Sequence, residues 1–140
     1  MPPFDFSEGP QALRAATKRI VENTGNYVQQ EDVIEEDRKI PTRDTSNITI
    51  RIYRPRTTPT GGGPLLVMYH SGGYCAGDVG DEGTNCRNFA TIFGGIAISV
   101  GYRLAPEFPF PIPVNDAYDA LKWVQKDTLP SGEIEYLPLI

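Results

Sequence analysis

Two apolar runs without polar alternation constrain this chain most: Pro64-Leu65-Leu66-Val67-Met68-Tyr69 and Gly95-Ile96-Ala97-Ile98-Ser99-Val100. A strand with one wet face alternates apolar and polar residues, so runs like these predict strands covered on both faces. A helical pattern follows each of them. Asn85 to Phe93 places Phe89, Ile92 and Phe93 on one side of a helix. Pro113 to Lys126 opens on a proline suited to a first turn. It spaces Val114, Ala117, Leu121 and Val124 as an apolar stripe. Strand, helix, strand, helix with doubly covered strands is the pattern of a parallel sheet with helices on both faces.

Upstream the periodicity changes. Ile48-Thr49-Ile50-Arg51-Ile52-Tyr53 alternates with period two and is stopped by Pro55. Asp32 to Ile40, closed by Pro41, reads as its partner across a turn at Arg43-Asp44-Thr45-Ser46-Asn47. Together they predict an antiparallel hairpin. Gln11 to Glu22 carries Leu13, Ala16, Ile20 and Val21 as one face of a helix, ended by Asn23-Thr24-Gly25-Asn26. The expected organisation is one domain: a leading helix in residues 1–30, a sheet with its helices in 31–126, and an aperiodic tail in 127–140.

Charge and composition remove several function classes. The 13 basic and 18 acidic residues leave a net charge of -5, and the basic residues form isolated pairs such as Lys18-Arg19 and Arg38-Lys39. No basic stripe exists to displace counterions from phosphates, so no nucleic acid is expected as partner. The longest strongly apolar run, Leu65 to Met68, is far too short to span a bilayer. Met1-Pro2-Pro3-Phe4-Asp5 lacks a basic, then apolar, leader pattern. Cys75 and Cys86 are too few for a disulfide framework. The expected location is cytoplasmic.

The chemistry-bearing stretch begins where the first apolar run ends, at Tyr69-His70-Ser71-Gly72-Gly73-Tyr74. Open α/β sheets bind ligands at the carboxyl ends of their strands. Two glycines there let backbone N–H groups face a ligand with no side chain in the way. Aimed at a tetrahedral oxygen, such donors form an oxyanion hole. The second apolar run leads into Gly101-Tyr102-Arg103-Leu104-Ala105-Pro106-Glu107, then Asn115-Asp116-Ala117-Tyr118.

This constellation closely resembles the hormone-sensitive-lipase-like esterase/lipase branch of the α/β-hydrolases, which pairs a His-Gly-Gly-Gly turn with a Tyr-Arg-Leu-Ala-Pro-Glu stretch. Asp37-Arg38-Lys39-Ile40-Pro41 and Arg51-Ile52-Tyr53-Arg54-Pro55 resemble its opening hairpin, and the leading helix resembles part of its cap. The resemblance covers roughly Leu13 to Lys126. It implies the N-terminal half of an α/β-hydrolase sheet: an antiparallel opening hairpin, then parallel strands with flanking helices. It also implies that Gly72 and Gly73 supply oxyanion N–H groups and that His70 pins the turn. Ser71 stands where the family has glycine, and a left-handed backbone there would cost about 1–2 kcal/mol. Arg103, Glu107 and Asp116 are read as structural polar contacts.

Hydrolysis in this family needs a Ser on a Gly-x-Ser-x-Gly elbow, then an acid, then a His. The sequence holds no such elbow. Ala97-Ile98-Ser99-Val100-Gly101 is the nearest match, but it lies within a strand. His70 is the one histidine, and nothing marks a third group for a Cys75–His70 pair. No cofactor and no metal site are implied. The expectation is a truncated hydrolase domain, inactive alone, whose open sheet edge at Leu65 to Tyr69 invites a homo-oligomer or a complementing chain. A small acyl-ester or carbonyl compound is the ligand class. Two alternatives stand beside it: a non-catalytic binding or regulatory module, and a repurposed non-hydrolytic enzyme on the same half-domain.

Overall fold

A computed structural model describes residues 9–23, 31–57, 59–60 and 63–127. Its elements in chain order are α1 (Gly9–Asn23), β1 (Val33–Pro41), β2 (Asn47–Pro55), β3 (Leu65–Tyr69), α2 (Gly83–Phe93), β4 (Ile96–Gly101) and α3 (Ile112–Asp127). The turn expected after Asn23, the side chains of Ile20 and Val21, and the tail 128–140 lie outside the described residues.

β1 and β2 form the expected hairpin, antiparallel from Val33↔Pro55 to Pro41↔Asn47. β2 continues antiparallel onto β4, and β3 joins β4 in parallel, with Leu65 beside Ile96 and Tyr69 beside Val100. The sheet order is β1-β2-β4-β3. Helices cover both faces, as two separate clusters show. Ile40, Ile48, Ile50, Ile52, Ile98 and Val100 pack against Ala120 and Val124 of α3. Val33, Tyr53 and Ala97 pack against Cys86 and Ala90 of α2. β4 sits between β2 and β3, and its residues from Ala97 to Val100 are fully buried.

Three expectations need correction. β3 is not buried on both faces; Leu65 to Met68 are half-buried and Tyr69 is exposed, because β3 has a partner on one side only among the described residues. In α2 the buried face is Gly83, Cys86, Arg87 and Ala90, whereas Ile92 and Phe93 are 70% and 60% exposed. Arg87 belongs inside because Glu35 of β1 accepts its Nε at 2.7 Å. In α3 the buried residues are Pro113, Asp116, Ala120 and Val124. Val114 and Leu121 are exposed and Ala117 half-buried, since that flank turns toward the unpartnered side of β3. Tyr69 marks the direction: its hydroxyl donates to the Ala117 carbonyl at 3.0 Å.

Candidate oxyanion turn

The parallel pair ends in two loops at its carboxyl edge. After β3 the chain runs through His70 to Glu82 into α2, and after β4 it runs through Tyr102 to Pro111 into α3. His70 is buried and lies flat on Tyr102, with ring centroids 4.1 Å apart and planes 12° from parallel. The Tyr102 hydroxyl donates back to the His70 carbonyl at 2.7 Å. His70 Nδ1 lies 2.9 Å from the Ser71 carbonyl; a carbonyl only accepts, so Nδ1 carries the proton. Gly77 is required beneath this ring, since a Cβ there would stand 1.9 Å from Nδ1. His70 therefore packs and pins.

The turn itself is made by three successive left-handed residues, Gly72 (φ 113°), Gly73 (φ 60°) and Tyr74 (φ 63°). It closes on the Gly72 carbonyl, which accepts from the N–H groups of both Cys75 and Ala76 at 3.1 Å. Only glycine fits at the first position, where a Cβ would sit 2.2 Å from the Ala76 oxygen. At Gly73 a Cβ would meet open space. The N–H groups of Gly72 and Gly73 bond to no backbone carbonyl among the described residues, and both residues are exposed. Two backbone donors with no backbone acceptor among the described residues thus sit in a defined, exposed turn.

Ser71 does not take up the left-handed angle that its replacement of glycine suggested; Tyr74 does. A non-glycine residue in that region stores strain and persists only where its surroundings over-determine it. Here the Tyr74 carbonyl accepts from Ala105 N–H at 2.8 Å, which ties the two loops together.

The second loop is anchored by charge. Asp116, with its side chain fully buried, accepts from Arg103 at its backbone N, Nε and one Nη, at 3.0, 2.8 and 2.6 Å. The same guanidinium reaches Asp44 in the β1–β2 turn at 2.8 Å. Arg103 and Thr42 hold the Asp44 carboxyl well below the usual range. Glu107 is bound by Arg14 of α1. These three residues are structural contacts, as their sequence context implied.

The other candidates do not come together into a reactive set. Ser99 is fully buried in β4 and its Oγ has no hydrogen-bond partner, so no base reaches it. Burial pushes the Cys86 thiol up to about 12. Cys75 is half-buried and free, with no hydrogen bond to His70. No group of three or more His, Cys, Asp or Glu able to hold a metal exists among the described residues. No helix among them is long and apolar enough to cross a membrane. Sequence reasoning missed Tyr74, Gly77 and Arg14. Gly77 alone carried a local signal, as a glycine seven residues beyond the histidine.

A four-stranded mixed sheet in the order β1-β2-β4-β3, with a left-handed glycine turn at the carboxyl end of its parallel edge strand, fits an α/β-hydrolase-type scaffold. The comparisons with known proteins agree. A family profile described as alpha/beta hydrolase fold matches residues 66–135. An AB hydrolase superfamily protein of Schizosaccharomyces pombe is 43% identical over 94 residues, 67% of this chain and 28% of that protein. An ethyl acetate hydrolase of Pseudomonas putida is 40% identical over 89 residues, 63% of this chain and 28% of its own. The solved structure of a bacterial heroin esterase superposes with a TM-score of 0.84 at 30% identity, covering 96% of this chain and 42% of that one. The chain belongs to the α/β-hydrolase fold family, in its hormone-sensitive-lipase-like esterase branch. It spans well under half the length of each of these relatives.

Proposed function

We propose that this chain carries the oxyanion-binding turn of a carboxylic-ester hydrolase and performs no ester turnover with its own residues. The observation that carries the reading is the left-handed turn at Gly72 and Gly73, at the carboxyl end of β3, whose two N–H groups bond to no backbone carbonyl among the described residues. When a nucleophile adds to an ester carbonyl, charge develops on its oxygen, and two preorganised backbone donors stabilise that charge. The nucleophile and its base are not among these 140 residues: there is no Gly-x-Ser-x-Gly, and the one histidine is buried beneath the turn. A short acyl ester fits as ligand class, ethyl acetate being the ester that the Pseudomonas relative's name gives. The reading places the chain in the cytoplasm, where Cys75 and Cys86 stay as free thiols. It also has a second polypeptide strand covering the open side of β3.

The test has two arms. In the first, the purified chain meets p-nitrophenyl butyrate and a fluorophosphonate probe; no turnover and no labelling are expected, and stoichiometric labelling would refute the absence of a nucleophile. In the second, butylphosphonate, a tetrahedral oxyanion, is titrated into 15N-labelled chain. The Gly72 and Gly73 amide signals are expected to shift together and saturate. Shifts spread evenly over the surface, or none, would remove the oxyanion assignment.

A further inference from the structure

Arg14 lies mid-α1, and its guanidinium reaches out of its own helix. Its Nε donates to the Cys75 carbonyl at 2.8 Å and one Nη to the Ala105 carbonyl at 2.7 Å. The two Nη atoms also fork onto the Glu107 carboxylate at 2.9 and 2.7 Å. Cys75 and Ala105 belong to different loops, the first carrying Gly72 and Gly73, the second following β4. Those loops are joined by the bond from Ala105 N–H to the Tyr74 carbonyl. The guanidinium therefore bridges the carbonyls of Cys75 and Ala105 directly beside that joint.

The turn needs such a brace. Tyr74 holds a left-handed angle while half of its surface is open to solvent, 51%, so burial does little to hold it there. Besides the Tyr74 ring, 5.8 Å from that of Tyr102, and the buried Ala76, the segment is set by hydrogen bonds: Cys75 and Ala76 onto Gly72, Ala105 onto Tyr74, and Arg14 onto Cys75. A planar guanidinium is suited to this position, because its donors lie in fixed directions and can satisfy two carbonyls and a carboxylate at once.

We infer that Arg14 is a positioning residue: through the Cys75 and Ala105 carbonyls it holds the Gly72–Gly73 turn, and with it the two N–H groups, in place, chaining α1 to the candidate site. This rests on the reading of that turn as oxyanion-binding. Glu107 orients the guanidinium from its solvent side, 47% exposed, and is the lesser partner.

The experiment compares wild type, Arg14→Ala, Arg14→Lys and Glu107→Gln as full chains, by butylphosphonate titration and by amide hydrogen exchange. For Arg14→Ala the affinity is expected to fall by roughly tenfold, equivalent to weakening the turn's grip on the ligand by about one hydrogen bond. Its Gly72 and Gly73 signals are expected to move before any ligand is added, and Ala105 N–H exchange to quicken. Glu107→Gln leaves both carbonyl contacts in place and is expected to stay within about twofold of wild type. Arg14→Lys, with one compact donor group, is expected to fall between them, and it serves as the readout should Arg14→Ala fail to fold. Wild-type affinity and unchanged Gly72 and Gly73 signals in both Arg14 variants would overturn the inference. So would Glu107→Gln behaving like Arg14→Ala, which would make the ion pair the whole effect. If wild type itself shows no phosphonate shifts, the oxyanion reading fails. Ala105 exchange then decides the brace alone: faster in Arg14→Ala supports it, unchanged overturns it.

Discussion

Along β1, outermost on one side of the sheet, Glu36, Asp37, Arg38 and Lys39 follow one another and Pro41 closes the strand. Along β3, outermost on the other, the residues are Leu65, Leu66, Val67, Met68 and Tyr69. Charge and proline on an edge discourage a further strand from pairing with it; an uncharged apolar edge invites one. The helix above repeats the contrast. On the β1–β2 side, α3 is fastened by Asp119, which accepts from Arg43 Nη at 2.8 Å, and by Asp116, which takes the Arg103 fork. On the β3 side it presents Val114 and Leu121 to solvent, with the Tyr69–Ala117 bond beside them. One side is finished as a surface, and the other has the composition of an interior.

The largest break of that contrast is Asp116→Ala. It removes the fully buried partner of Arg103 and leaves the guanidinium with exposed Asp44. Removing one member of a buried pair costs about 3–5 kcal/mol. Urea unfolding is expected to show that loss, and a change within 1 kcal/mol, the scale of a surface pair, would mean the finished side is not anchored there. On the bare side, Val114→Glu with Leu121→Glu alters exposed positions, where the cost to folding is within about 0.5 kcal/mol each. If a second polypeptide covers β3, this double variant loses association while keeping its fold. The size-exclusion mass is expected to drop to that of the 15.5 kDa chain; wild type already at that mass would end the idea of self-association. Tyr69→Phe comes next. It deletes one partly exposed hydrogen bond to Ala117, worth about 0.5–1.5 kcal/mol, and urea unfolding reads it directly.

These differences also explain what the sequence disclosed. β4 was legible because a strand between two partners carries its burial in its own letters, Ala97 to Val100. The glycine turn was legible because Gly72 and Gly73 are needed locally, by φ and by the Ala76 oxygen. The inner face of α3 was misread because it contains Asp116, whose burial depends on Arg103, thirteen residues away. An apolar stripe through Val114 and Leu121 looked better and pointed outward. The strain at Tyr74 rather than Ser71 follows from where Cys75 and Ala76 bond back, which no motif states. Arg14 was beyond reach altogether. Its partners lie 61 to 93 residues away, and nothing in α1 marks one arginine above another.

The smallest effect is pH-dependent and belongs to the finished side. Arg43 holds the Asp119 carboxyl below its ordinary value, chiefly by its hydrogen bonds, and Arg103 does the same for Asp44. A carboxyl whose folded value is depressed contributes stability that is fully present above its unfolded value, near 4. That contribution is lost as pH falls through the lower folded value. Wild type is therefore expected to hold its unfolding free energy from neutrality to about pH 5 and to lose it below about pH 4. Asp119→Asn removes one of these groups, so its stability curve is expected to be flatter below pH 4. At pH 7 the cost is about 0–1 kcal/mol, the range of a pair with one exposed partner. Urea unfolding of both proteins at pH 7 and pH 3 compares the two slopes. An identical acid loss in the variant would show that Arg43 grips Asp119 no more tightly folded than unfolded. Among the charged contacts, the Arg103–Asp116 pair would then be the one that anchors α3, beside the packing of Ala120 and Val124.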